Sequence, residues 1–118
     1  MSAANKAIIA KANKAFEHND VEALLALCTE DFSWTMVGSP AAVGKAAVRK
    51  WMAKAPPDMP KFTVDAVIAD GDYVTCVGDM TMPEKGESVP YAYCDVWRFE
   101  GDKIAELKAF VIRTNTKQ

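Results

Sequence analysis

Apolar side chains recur with a helical period near the start of the chain. Ile8, Ile9, Ala12, Ala15 and Phe16 share one side, while Asn5, Lys6, Lys11, Asn13, Lys14 and Glu17 fill the others. This spacing predicts a helix over 4–18. Asn19-Asp20 breaks it, and Asp20 is placed to cap a short second helix in which Val21, Leu24, Leu25 and Cys28 make one apolar stripe. Over Asp31 to Val37 large apolar and small polar residues alternate, the mark of a strand buried on one side, and Gly38-Ser39-Pro40 ends it. After Gly44 the helical period returns in Ala47, Val48, Trp51, Met52 and Ala55. Pro56-Pro57 stops that helix because neither ring nitrogen carries a hydrogen to donate.

From there the period is two. Phe62, Val64, Ala66 and Ile68 alternate with Thr63, Asp65 and Val67, and Asp70-Gly71-Asp72 supplies turn chemistry. Strands over Tyr73 to Met82, Val89 to Phe99 and Lys103 to Thr114 follow, separated by turns at Pro83-Glu84-Lys85-Gly86 and Glu100-Gly101-Asp102. Successive hairpins of this kind form an antiparallel meander. Helices gather in the first half and strands in the second, so the expected class is α+β: a cone-shaped, curved antiparallel sheet packed on three N-terminal helices.

The length, 118 residues, suits a single domain over 1–118, long enough to bury a core without disulfides or a structural metal. Basic and acidic residues nearly balance at a net charge of -2 with neither sign clustered, which argues against a nucleic-acid partner. The apolar runs fall far short of the ~20 residues of a membrane-spanning helix, and the N-terminal segment is broken by Lys11 and Lys14. A cytoplasmic protein that meets no membrane is expected. Cys28, Cys76 and Cys94 are widely spaced, and His18 is the lone histidine, so neither a disulfide framework nor a zinc site is indicated. No cofactor is expected.

The strand from Tyr91 to Phe99 carries Tyr91, Tyr93, Asp95, Trp97 and Phe99 on one face and Ala92, Cys94, Val96 and Arg98 on the other. The last strand sets Leu107, Ala109 and Val111 against Phe110 and Ile112. An outer face this apolar predicts a homodimer through the sheet. The inner face predicts a conical cavity for an apolar small molecule, lined by Phe16, Trp34, Met36, Met52, Cys76, Met80, Tyr91, Tyr93, Trp97 and Val111, with Trp51 beside them. The competing expectation is a solid core in which Trp34, Trp51, Met80 and Trp97 fill the cone.

The order of elements resembles that of the nuclear transport factor 2-like superfamily, in particular its SnoaL-like and ketosteroid isomerase-like members. The resemblance is carried by Ala15-Phe16-Glu17-His18-Asn19-Asp20-Val21-Glu22-Ala23-Leu24, by Asp31-Phe32-Ser33-Trp34, by Gly44-Lys45-Ala46-Ala47-Val48-Arg49, and by Asp95-Val96-Trp97-Arg98-Phe99 with Gly101-Asp102-Lys103-Ile104. It implies a conical α+β barrel and a small-molecule site. It also implies cofactor-independent isomerase, cyclase or dehydratase chemistry on a carbonyl compound, the alternative being a noncatalytic ligand-binding or dimerisation module of the same fold.

In ketosteroid isomerase-like members an inward aspartate stays protonated and donates to an oxyanion, and Asp95 falls at that place, which makes it the candidate catalytic acid or oxyanion donor. Desolvation by aromatic neighbours would favour its neutral form. The isomerase's other groups are replaced: its general base falls at Met36 and its tyrosine at Ala12. No carboxylate stands in Phe110-Val111-Ile112-Arg113, where SnoaL-type cyclases carry an acid or base. The Arg-Asp pair of limonene epoxide hydrolase-like members is not recognisable around Gly78-Asp79.

Overall fold

In the computed structural model, which describes residues 2–54 and 61–114, helix α1 spans Ser2–Glu17 and α2 spans Val21–Leu25. Ile9 and Ala12 bury the inner stripe of α1, while Asn19 takes a positive φ of 51° that turns the chain out of the helix. Asp20 then caps α2, its carboxylate accepting from the Ala23 amide at 3.1 Å. Asn5, expected among the outward polar residues, is buried.

Strand β1 covers Cys28–Met36, so Cys28 is not the last residue of the second helical stripe. It pairs instead with Ile104 of the final strand, and its buried thiol donates to the Leu24 carbonyl at 3.3 Å. Burial pushes that thiol's pKa up to about 12. A short β2 (Ala42–Val43) folds back on β1, and α3 (Lys45–Met52) follows with Val48 and Met52 buried. Ala55 and Pro56-Pro57 lie outside the described residues.

The remaining strands are β3 (Lys61–Phe62), β4 (Ala66–Asp70), β5 (Tyr73–Glu84), β6 (Glu87–Glu100) and β7 (Lys103–Arg113). They form one sheet in the order β2-β1-β7-β6-β5-β3, with β4 also on β5. The meander β4 to β7 is antiparallel, but β1 lies parallel to β7, which makes the sheet mixed rather than purely antiparallel. A parallel pair needs a long crossover between its strands, and the whole stretch between β1 and β7 provides it.

A single expected strand over 62–68 is in fact interrupted. Phe62 faces Met80 and Ala66 faces Val77, so one side of the ladder holds an extra residue between these pairs. Because side chains alternate with a period of two, that residue reverses the facing: Phe62 points inward, but Ile68 is 61% exposed, and Val67 and Ala69 take the inner positions. Gly78 is required at this bulge, since a Cβ there would lie 2.1 Å from the Thr63 carbonyl oxygen.

The core unites α1, α2 and α3 with the inner sheet face around Phe32, Trp97, Ile104 and Leu107. Among the described residues no helix is long and apolar enough to cross a membrane.

Candidate functional site

The strand register stacks the inward residues in rows. One row runs Met36, Ala109, Asp95, Cys76 and Val67 across β1, β7, β6, β5 and β4. The row toward the closed end holds Trp34, Leu107, Trp97 and Val74; the row on the other side holds Val111, Tyr93 and Gly78. Short helices close only part of this curved face. A cavity of about 450 Å³ remains, within the size range of small-molecule sites. Its open volume sets aside the expectation of a cone filled by its own side chains.

Phe16, Trp34, Met36, Met52, Met80, Tyr93 and Val111 line this cavity together with Asp95. Cys76, Tyr91 and Trp97 do not. Cys76 is sealed beneath the lining, with its thiol pKa raised mainly by burial. Trp97 is likewise fully buried, one layer further in. Tyr91 reaches the other way along its strand and donates to the Glu84 carboxylate, which also pairs with Arg113 at 3.8 Å. Alternation placed these residues on the inner face, but depth along the cone decides which of them reach the open volume.

The lining also includes Asn13, Asn19, Lys54, Phe62, Met82 and Pro83, which the pattern did not single out. Asn13 follows Ile9 by four and precedes Phe16 by three, the spacing of a helix flank beside the buried stripe. Phe62 was detectable as the start of an alternating run. Trp51 stands at the mouth, half exposed and edge-on to Trp34 with ring centroids 4.7 Å apart. A side recess of about 80 Å³ opens between these two tryptophans and the 39–42 segment.

The polar groups of the cavity differ in how far they are committed. Tyr93 donates its hydroxyl to the Thr63 carbonyl at 2.5 Å, which fixes the ring against the bulge, and burial raises its pKa. The Trp34 indole nitrogen is buried without a partner. Asp95 is the lone carboxylate among the described lining residues, and among the described residues its carboxyl forms no hydrogen bond. Burial alone pushes its pKa up to about 7. Well below that pH the carboxyl is neutral and carries a proton that it can donate.

The SnoaL-like domain profile matches residues 9–107. The chain belongs to the SnoaL-like domain family. Sequence comparison with curated proteins finds no match. Among solved structures, this SnoaL-like chain is similar to an NTF2-like protein of unknown function from Cytophaga hutchinsonii, with a TM-score of 0.78 at 26% identity over 95% of this chain and 99% of that one. It is similar in fold to a ketosteroid isomerase-like protein from Kribbella flavida (TM-score 0.83, 16% identity, 99% and 84% covered). A third fold relative is an LEH-like epoxide hydrolase from M. tuberculosis (0.81, 14%, 93% and 84%). The SnoaL-like assignment therefore establishes the NTF2-like α+β architecture, while relatives of this fold carry different chemistries.

Proposed function

We propose that this SnoaL-like chain binds an apolar carbonyl compound in its cone, with the neutral Asp95 carboxyl donating a hydrogen bond to the carbonyl oxygen. The observation that carries this reading is a carboxyl without a partner among the described residues, its pKa raised by burial, in a predominantly apolar and aromatic cavity. Such a donor polarises the carbonyl and stabilises negative charge that develops on its oxygen, which supports cofactor-independent proton transfer at the adjacent carbon.

Noncatalytic binding is the second reading, and one observation favours it. Met36 lines the cavity at the place where the resemblance to ketosteroid isomerase-like members puts the general base, and a thioether cannot take a proton. Beside Asp95 and Tyr93, the other titratable group among the described lining residues is Lys54, which is exposed.

The test is a titration of wild type and Asp95→Leu with cyclic ketones and enones at pH 6 and pH 8, with α-proton exchange followed by NMR in heavy water. Binding that is tighter at pH 6 and lost in the variant supports the carbonyl site; exchange catalysed above background supports the enzyme reading over the binding one. Affinity that ignores both pH and Asp95 would overturn the assignment.

A further inference from the structure

Asn13 is a further polar side chain that lines the cavity with Asp95. Cys76 and Asp95 stand directly opposite each other on β5 and β6, so their Cβ atoms lie about 5 Å apart on the same face. The Asn13 amide nitrogen donates to the Cys76 sulfur at 3.9 Å, a long bond to a weak acceptor. Asn13 on α1 and Asp95 on the sheet thus converge over one buried thiol, and both line the same cavity. Among the described residues neither the Asn13 Oδ1 nor the Asp95 carboxyl forms a hydrogen bond, and both residues line the cavity.

A carboxamide whose nitrogen is turned to sulfur presents its oxygen as an acceptor; a neutral carboxyl presents a hydroxyl as a donor. The two together form a complementary pair at one place in an apolar wall. We propose that Asn13 is a specificity-determining ligand contact, and that Asn13 and Asp95 together select carbonyl compounds bearing a hydrogen-bond donor beside the carbonyl: a lactam, an enolised 1,3-dicarbonyl or an α-hydroxyketone. The inference rests on the carbonyl reading of Asp95 and adds the second contact to it. A ligand without the neighbouring donor leaves the Asn13 oxygen desolvated and unpaired, which is the stronger source of discrimination.

Coumarin and 2-quinolone test this directly, because they share a bicyclic shape and differ by a ring oxygen in place of an N–H. Calorimetric titration of wild type should show 2-quinolone binding about tenfold more tightly than coumarin. Asn13→Leu should remove that preference by weakening 2-quinolone alone, and Asn13→Ala should do the same; retained coumarin affinity reports that each variant is folded. Asp95→Leu should weaken both compounds. Equal affinities in wild type, or an Asn13 variant that weakens both probes alike, would overturn the role of Asn13 while leaving Asp95 in place. An Asp95→Leu variant with unchanged affinities, or a wild type that binds neither probe, would overturn the carbonyl reading and this inference with it.

Discussion

Met36 and Asp95 flank the same residue, Ala109, on the inward row of the sheet: Met36 pairs with it from β1 and Asp95 from β6. Two strand spacings separate them, about 10 Å. The small Ala109 side chain leaves the space between them open, and that space belongs to the cavity. Asp95 therefore faces a thioether across the cone, and among the described residues burial acts on its charge without an offsetting partner.

The consequence is a pH-dependent stability. The Asp95 pKa is raised from an ordinary 3.8 to about 7, so between these values the native state holds a proton that the unfolded chain releases. Stability from this group is fully present below pH 4, declines as pH rises, and is lost above about pH 7. Asn mimics the neutral carboxyl. Asp95→Asn should melt close to wild type at pH 4 and several degrees higher at pH 8, measured by thermal denaturation at both values. An equal effect at both pH values would show that Asp95 is not the titrating group.

Gly78→Ala should destabilise strongly. The added methyl would meet the Thr63 carbonyl oxygen at 2.1 Å and the Tyr93 hydroxyl at 2.9 Å, and the nearer clash is with backbone. A loss of about 3 kcal/mol is expected from chemical denaturation, the upper end of ordinary overpacking. Combining it with Tyr93→Phe removes the farther clash only, so the double variant should not recover stability.

The outer sheet face carries our proposal of a homodimer. Val77, Cys94 and Phe110 form one outward row across β5, β6 and β7, and Ile112 continues the apolar surface beside Ala92. Phe110 and Ile112 are 40% and 67% exposed. A contiguous apolar surface of this kind fits a second copy of the same face. Analytical ultracentrifugation should show a dimer for wild type at micromolar concentration and a monomer for Phe110→Glu or Val96→Glu. A monomeric wild type would refute the proposal.

Asp20→Ala should cost about 1 kcal/mol, because the Ala23 amide loses its acceptor at the start of a five-residue helix. Asp20→Asn should restore most of that stability in the same melting assay.

Local pattern was sufficient for some of this architecture. The alternation through Tyr93, Asp95 and Trp97 marked an inner face, and the capping chemistry of Asp20 marked the start of α2, because pleating and helix ends are governed by neighbours in sequence. Other features were decided by partners far along the chain. Cys28 leaves the helical stripe for a strand because Ile104 pairs with it, and the facing of Val67 and Ile68 reverses because Gly78 admits the Thr63 carbonyl and Tyr93 fastens it.

The candidate site divides along the same line. An acidic residue amid inward aromatics is visible in the sequence of one strand, so Asp95 could be singled out without coordinates. Its proximity to Asn13, and the exclusion of Cys76, Tyr91 and Trp97 from the open volume, were settled only by the tertiary structure. Periodicity assigns a side chain to a face, but curvature of the sheet and packing of the helices over it set how deep each row lies and which groups from separate elements meet.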